Sequence, residues 1–242
     1  MGESQINLYE SQALREVVGP VIRPGGFELT ERGLSHCRLV PGARVLDVGC
    51  GTGVVVDYIR QKYGLAAVGI DFSSVLLEEG IRTYVGSPLV RGRAEQLPAA
   101  DGIFEAVLCE CVLSLCRQPL NVLREIRRVM QAGGYLVLSD VYTRDPAAPA
   151  WSAKPSIHSC LLGAVDKKTV LDRVADAGYE LLMWEDHSPL LKQLAAQLAW
   201  TYGSLDDFWS AVGGSCAAGA MGTNRTGACV WPGYFLLVAR KR

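Results

Sequence analysis

A glycine-rich segment and two acidic residues form the clearest chemical pattern in this chain. Asp47 ends a short apolar run, and the segment GCGTG after it supplies Gly49, Gly51 and Gly53. Glycine permits positive φ angles and lets the backbone approach a ligand without interference from a Cβ atom. A second apolar run, AAVGID, ends in Asp71 about twenty residues further on, where a carboxylate can accept hydrogen bonds from ribose hydroxyls. The pattern predicts a site for a nucleoside-containing ligand.

The eight cysteines are the second set of residues that could do chemistry. Cys109, Cys111 and Cys116 lie in the apolar stretch LCECVLSLC, and Cys160 lies in HSCLLGAV. Structural zinc sites use pairs separated by two to four residues. One residue separates Cys109 from Cys111, so we predict no metal site. Soft thiolates favour thiophilic ligands, but free cysteine also packs as a small buried hydrophobe, and both interpretations stay open.

Composition and charge exclude several classes of partner. The 242 residues include 24 basic and 25 acidic ones, a net charge of −1, so we expect neither a nucleic acid nor an anionic membrane as partner. No apolar run reaches the roughly 20 residues that cross a bilayer. The first ten residues, MGESQINLYE, lack the basic and apolar regions of a secretory signal. We therefore expect a cytoplasmic protein, either a monomer or a homodimer.

Apolar strand-like runs alternate with helical patterns along most of the chain, which indicates a parallel sheet covered on both faces. Before this alternation we predict a helix over 5–18, a turn at RPGGFELT and a second helix over 30–39. After it, we predict helices over 166–177 and 190–212. The strand-like runs are ARVLDVG, AAVGID, PLVRG, IFEAVLC, GYLVLSDV, YELLMWEDH and GYFLLVARK.

Five segments, in order, resemble the motifs of class I S-adenosylmethionine-dependent methyltransferases, including the ubiquinone and menaquinone methyltransferases. A dinucleotide site is disfavoured, because Val54 stands where that fingerprint has its third glycine. The resemblance covers roughly residues 40–140. The segments are VLDVGCGTG, VGIDFS, GRAEQLP, FEAVLCECVLS and QAGGYLVLSD.

The resemblance implies S-adenosyl-L-methionine as the cofactor and assigns residues to its methionine end. The three glycines would line the methionine moiety, and Asp47 would help to hold its ammonium group. The same comparison adds four neighbouring residues to the expected cofactor site, namely Cys50, Ser73, Glu95 and Glu110.

For the nucleoside end, the resemblance implies that Asp71 binds the ribose diol and Phe72 packs on the adenine. Ala94 would offer its backbone N–H to an adenine nitrogen. The family often has Asp or Asn just before this alanine, whereas this chain has Arg93. Arginine offers only donors, so the usual bond to the adenine amino group is not expected here.

The fold implied by the resemblance is an α/β Rossmann-like domain. We expect a seven-stranded, mostly parallel sheet with an antiparallel last strand and helices on both faces. The whole chain, 1–242, would form one domain, with a helical N-terminal lid over 1–40 and a cofactor-binding core over 41–140. Residues 141–242 would form the acceptor side, and an insertion over 190–230 would set specificity.

The stretches VLCECVLSL, SDVY and HSCLLGAV are also similar to parts of the arsenite methyltransferases. That resemblance implies that Cys111 and Cys160 hold a trivalent arsenic near the methyl donor. His158 is the best candidate for a base, should the acceptor be an oxygen, nitrogen or acidic carbon. Weaker candidates for acceptor chemistry are Glu110, His187 and Tyr142.

Three hypotheses for the acceptor side remain open at this point. The acceptor could be thiophilic, such as arsenite, or it could be a small organic molecule of the quinone-precursor type. Alternatively, the chain could be a regulatory module that binds the cofactor without catalysis. The first two hypotheses predict a small-molecule acceptor beside the cofactor, whereas the third predicts a degenerate acceptor site.

Overall fold

A twisted seven-stranded sheet forms the centre of the structure, a computed structural model that describes residues 6–144, 157–212, 222–223, 229–230 and 232–242. In chain order its strands are β1 (Arg44–Val48), β2 (Ala66–Asp71), β3 (Leu89–Arg91), β4 (Phe104–Glu110), β5 (Met130–Tyr142), β6 (Tyr179–Asp186) and β7 (Gly233–Lys241). They lie side by side in the order β3-β2-β1-β4-β5-β7-β6. Strand β7 runs antiparallel to both its neighbours, whereas the other pairs are parallel. The predicted sheet is therefore confirmed.

Helices cover both faces of this sheet, as predicted. On one face α5 and α6 pack through residues such as Ile126 and Val174, and on the other α2 and α3 pack through Leu29 and Ile59. The helices are α1 (Gln12–Val18), α2 (Gly26–Ser35), α3 (Val54–Tyr63), α4 (Ser74–Thr83), α5 (Pro119–Val129), α6 (Lys167–Asp176), α7 (Ser188–Tyr202) and α8 (Leu205–Ala211).

Short 3-10 helices and two-residue strands complete the described fold. The 3-10 helices are Leu8–Glu10, Leu113–Leu115 and Cys160–Gly163. Ile6–Asn7 pairs with Ile157–His158, and Gly222–Thr223 pairs with Cys229–Val230. Within the described ranges, no helix is both long and apolar enough to cross a membrane.

The N-terminal segment differs from its prediction in two respects. A short strand and a 3-10 helix occupy much of the predicted helix 5–18, so that only α1 is α-helical there. Helix α2 begins at Gly26, inside the predicted turn, because Gly25 has a left-handed conformation (φ +78°) and serves as the N-cap. Gly33 then lets α2 lie against the sheet, since a Cβ atom there would be 2.4 Å from Cγ1 of Val137.

Candidate active site

The loop after β1 depends on its glycines for its shape. Gly49, Gly51 and Gly53 have φ angles of +74°, +57° and +78°, which are strained for residues with a side chain. The N–H of Gly49 donates to the Ile70 carbonyl at 2.7 Å and thereby joins the loop to β2. At Gly51 the nearest atom to an added Cβ would be a Leu76 methyl at 4.0 Å, so this peptide has space in front of it.

Gly49 and Gly53 serve a different purpose from Gly51. An added Cβ at Gly49 would be 2.2 Å from Cγ2 of Val112, and one at Gly53 would be 2.5 Å from Cδ2 of Leu89. Distances this short cannot be tolerated in a packed interior. These two glycines therefore bring the loop close to its protein neighbours, while Gly51 leaves a surface open to a ligand.

Asp71, at the end of β2, is held by two backbone donors. Its Oδ2 accepts from the N–H of Gly51 and its Oδ1 from the N–H of Ser73, each at 2.8 Å. Burial raises the pKa of the Asp71 carboxyl, and these backbone bonds oppose that rise. Each carboxylate oxygen retains a further lone pair, which is what two ribose hydroxyls would require. Ser73 caps α4, accepting from Leu76 N, and donates to Glu10.

The glycine loop and Asp71 border a cavity of about 630 Å³, called the larger cavity below. Of the expected cofactor residues, Gly53 and Ser73 do not line it: Gly53 packs against Leu89, and Ser73 is engaged in capping α4. The remaining expected cofactor residues do line it, namely Asp47, Gly49, Cys50, Gly51, Asp71, Phe72, Ala94, Glu95 and Glu110.

Residues from the N-terminal segment also border the larger cavity. They include Tyr9, Pro20, Val21, Ile22 and Arg23. This placement agrees with the location expected of a lid, while the role of a lid remains a prediction. It also brings a buried cation to the site.

Arg23 and Glu110 form a buried ion pair at the end of β4. Their side chains are 5% and 4% exposed, and Nη2 of Arg23 lies 2.8 Å from Oε2 of Glu110. Thr30 on α2 donates to the same carboxylate at 3.3 Å and accepts from Arg23, whose Nη1 also donates to the Gly26 carbonyl at 2.5 Å. Burial raises the pKa of Glu110, whereas Arg23 and Thr30 oppose that rise.

Asp47 lies below the glycine loop and is 4% exposed. Burial raises the pKa of its carboxyl well above the ordinary value, Glu110 raises it further, and Arg23 lowers it. The wall of the larger cavity thus carries four carboxyl groups, those of Asp47, Asp71, Glu95 and Glu110. It also carries the guanidinium groups of Arg23, Arg93 and Arg117. The carboxyl groups of Asp47 and Asp71 flank the glycine loop and offer oxygen atoms to a bound ligand.

A second, smaller cavity of about 130 Å³ adjoins the first. Four residues line both cavities and mark the boundary between them: Tyr9, Ile22, Arg23 and Cys111. The rest of the lining of the smaller cavity is almost entirely apolar and comes largely from α7, α8 and the N-terminal segment, including Leu8, Leu14, Leu191, Leu194, Leu198 and Phe208.

Cys111 lies at this boundary in an unusual backbone conformation. Its φ angle is +57°, and among the described residues it is the one non-glycine with positive φ. Its N–H donates to the Ser139 carbonyl at 2.7 Å, and its sulfur lies 3.0 Å from the Tyr234 hydroxyl. Two causes raise the pKa of Cys111 well above the usual range: first a hydrogen bond with the Cys160 thiol, and second the burial of the side chain.

The segment that carries Cys160 reaches Cys111 because of a close backbone contact. A Cβ atom at Gly163 would be 1.8 Å from the carbonyl oxygen of Ser114, so only glycine allows the two 3-10 helices to meet. The N–H of Cys160 donates to the Tyr9 hydroxyl at 3.3 Å. The structure thus brings the two expected acceptor thiols together, and neither forms a disulfide bond. Their function remains a proposal.

The other cysteines divide between core and cavity wall. Cys109 is completely buried within the sheet core, where it packs as a small apolar side chain. Cys116 packs against the same core and also lines the larger cavity. Cys216 and the side chain of Cys229 lie outside the described part of the structure.

Two of the candidates for acceptor chemistry, His187 and Tyr142, lie away from the boundary between the cavities. His187 lies 3.0 Å from Glu185, and the Tyr142 hydroxyl donates to Asp186 at 3.0 Å. Neither residue belongs to the lining of the two cavities. The backbone of His158 pairs with Asn7, but its side chain lies outside the described part of the structure, so its expected role stays a prediction.

Sequence reasoning missed Tyr9 and Arg23 as site residues. Arg23 stands in a Pro/Gly-rich segment that is typical of an exposed turn, and Tyr9 lies in a segment interpreted as an ordinary helix. Their positions follow from contacts with Glu110 and Cys160, which lie far along the chain. No local pattern in the sequence carries that information.

Comparison with known proteins agrees with this geometry. The family model for a methyltransferase domain matches residues 46–138. A demethylmenaquinone methyltransferase of Renibacterium salmoninarum is 39% identical over 101 residues, which make up 42% of each chain. One from Mycolicibacterium paratuberculosis is 30% identical over 60% of this chain and 71% of its own length.

A solved structure shares the fold. Phosphoethanolamine N-methyltransferase 2 of Haemonchus contortus, in complex with S-adenosyl-L-methionine, superposes with a TM-score of 0.73 at 15% identity, covering 95% of this chain and 56% of that one. The fold and the glycine-loop site therefore define a Rossmann-like cofactor-binding domain of the methyltransferase type. The chain belongs to the class I S-adenosylmethionine-dependent methyltransferases.

Proposed function

We propose that this protein transfers the methyl group of S-adenosylmethionine to a small, largely apolar organic acceptor. The observation that carries the proposal is the junction of the two cavities. The larger one is bordered by the glycine loop and carboxylates, the smaller one is apolar, and they meet at Tyr9, Ile22, Arg23 and Cys111. A donor and an acceptor held on either side of this boundary would lie next to each other.

The larger cavity suits the proposed donor in its size and in the polar groups of its wall. Cavities of roughly 300–1,000 Å³ hold ordinary cofactor-sized ligands, and this one is about 630 Å³. Gly51 leaves room for the methionine end, and Asp71 retains lone pairs for the ribose hydroxyls. The carboxyl group of Asp47 also lines this cavity and offers oxygen atoms to the ammonium group of the donor. When bound, the donor supplies an electrophilic methyl group.

The protein's main contribution to the reaction would be to position the two reactants. A methyl group on a sulfonium needs an in-line approach of the acceptor atom, and correct placement of reactants accounts for large rate gains in such displacements. The apolar lining around Leu194, Leu198 and Phe208 would exclude water from the acceptor. The names of the demethylmenaquinone methyltransferases similar to this chain support an organic, ring-bearing acceptor.

A thiophilic acceptor such as arsenite is the second candidate. The observation in its favour is the contact between the thiols of Cys111 and Cys160 beside the larger cavity. Thiolates bind soft elements strongly. In this case the two cysteines, rather than the apolar lining of the smaller cavity, would hold the acceptor.

Calorimetry and a methyl-transfer screen test the proposal together. The protein should bind S-adenosylmethionine and S-adenosylhomocysteine and should methylate at least one member of a panel of phenols, hydroquinones, thiols, acidic carbon compounds and arsenite. Absence of binding to an intact fold would overturn the proposal. Binding without any methyl transfer above the uncatalysed background would favour the regulatory alternative.

A further inference from the structure

The apolar lining of the smaller cavity is interrupted by one charge. Among the residues that line this cavity, all of them in the described part of the chain, Arg23 is the one that carries a formal charge. An unpaired guanidinium at that position would attract an anionic acceptor and would repel a cationic one. The state of Arg23 therefore bears directly on which acceptors the cavity admits.

The charge of Arg23 is already matched within the protein. Glu110 lies 2.8 Å away with its side chain almost fully buried, and Thr30 and the Gly26 carbonyl accept further bonds from the guanidinium. Arginine stays protonated in proteins, so the pair is neutral as a whole. Glu110 lines the larger cavity and does not line the smaller one, so it compensates the charge without taking up space where the acceptor would lie.

We propose that Glu110 is a specificity-determining residue: by compensating Arg23, it makes the acceptor cavity select an uncharged molecule over an anionic one of the same shape. The inference rests on the proposed function and deepens it. Removal of the Glu110 charge, with its shape preserved, leaves Arg23 available to an incoming anion. For the unmodified protein, the expected acceptor is therefore a neutral molecule with a ring-sized apolar group and a polar atom at the boundary between the cavities.

The size of the cavity sets the size of the apolar group. The smaller cavity has a volume of about 130 Å³, and an apolar cavity of about 150 Å³ can hold a benzene-sized molecule. Two molecules that carry one benzene ring, 4-methylphenol and benzoate, are therefore suitable probes. These two probes have similar shapes and differ in charge at neutral pH.

The experiment measures the binding of both probes to the protein by calorimetry, with and without saturating S-adenosylhomocysteine. For the unmodified protein we expect 4-methylphenol to bind at least about tenfold more tightly than benzoate, since no unpaired cation is available. For Glu110→Gln we expect this ratio to fall by about tenfold or more, because a charge-assisted hydrogen bond to Arg23 becomes available to benzoate.

Matched variants separate selectivity from general damage. Glu105→Gln lies on the same strand, where Glu105 pairs with Arg44 away from both cavities, and it should keep the original ratio. Glu110→Asp keeps the charge and should stay selective for 4-methylphenol. In the double variant Glu110→Gln with Arg23→Gln, the gain in benzoate binding should disappear. Ala195→Phe, which fills the smaller cavity, should abolish binding of both probes.

Two results would overturn the inference. One is equal binding of the two probes to the unmodified protein, a measurement that requires no variant to fold. The other is an unchanged ratio in a folded Glu110→Gln protein that still binds 4-methylphenol. Failure of the proposed function would instead appear as absence of S-adenosylhomocysteine binding in the same titrations, so the two failures are distinguishable.

Discussion

The N–H of Gly51 donates to Oδ2 of Asp71 at 2.8 Å and thereby ties the loop after β1 to the end of β2. The second oxygen of the same carboxylate accepts from Ser73 N. One side chain thus fixes the glycine loop and presents lone pairs to the larger cavity. Its replacement should therefore weaken binding of the ligand in the larger cavity.

Asp71→Ala should weaken binding of S-adenosylhomocysteine by at least about tenfold, and by more if both ribose bonds are lost. Hydrogen bonds to a charged group contribute about 1.5–3 kcal/mol each, which corresponds to at least tenfold in affinity. Isothermal calorimetry gives the affinity, and circular dichroism checks the fold. Asp172→Asn, at an exposed position on α6, is the control and should bind normally.

Gly49→Ala should destabilise the protein more than Gly133→Ala. Both glycines have a φ angle of +74°, so the backbone strain of about 1–2 kcal/mol is common to both variants. At Gly49 the added methyl would meet Val112 at 2.2 Å, while at Gly133 there is open space. Overpacking typically adds 1–3 kcal/mol, as a rough range. Urea unfolding measures the difference, and equal destabilisation of the two variants would contradict it.

Much of the fold could be predicted because its signals are local. Apolar strand runs, the glycines at positive φ and the acid at the end of β2 are each specified within a few residues. The helix over 166–177 was predicted for the same reason, and α6 occupies Lys167–Asp176 with Asp166 as its cap. The residues of the cofactor site were predicted from the resemblance of five segments, in order, to the motifs of the methyltransferase family.

The acceptor side could be predicted only in part, because it depends on contacts between distant segments. The sequence suggests that Cys111 and Cys160 could meet, yet their contact requires Gly163 to lie against Ser114. The pairing of Arg23 with Glu110 has no sequence signature. The predicted start of α2 was wrong by several residues. A proline followed by two glycines is typical of a turn, whereas Gly25 here caps a helix.

Asp140 should make folding stability depend on pH in a defined window. Burial raises its pKa to about 6, against the hydrogen bonds from Ser114 and Val141. In the unfolded chain the carboxyl titrates near its ordinary value of about 4. Between these values the folded state holds a proton that the unfolded state has released, so stability falls as pH rises from about 4 to about 6.

The size of this effect is about 3 kcal/mol, since each pKa unit corresponds to about 1.4 kcal/mol. The variant Asp140→Asn cannot titrate at this position. We expect the free energy of unfolding of the original protein, minus that of the variant, to fall by about that amount between pH 4 and pH 7, as measured by urea unfolding. A difference that stays constant over this range would show that Asp140 does not titrate there.

The two cysteine thiols provide the test that separates the two acceptor candidates. If the acceptor is organic and lies in the smaller cavity, Cys160→Ser should change methyl transfer to a phenol by less than about tenfold, since it replaces one small polar group with another. If the acceptor is arsenite, the same substitution should abolish turnover, because a hydroxyl cannot replace a thiolate as a soft ligand.

Cys37→Ser, in the buried turn after α2 and away from both cavities, controls for general loss of stability. Full arsenite turnover in both Cys111→Ser and Cys160→Ser would reject the thiophilic candidate, while loss of phenol turnover in Cys160→Ser alone, with donor binding intact, would place that thiol in contact with the organic acceptor.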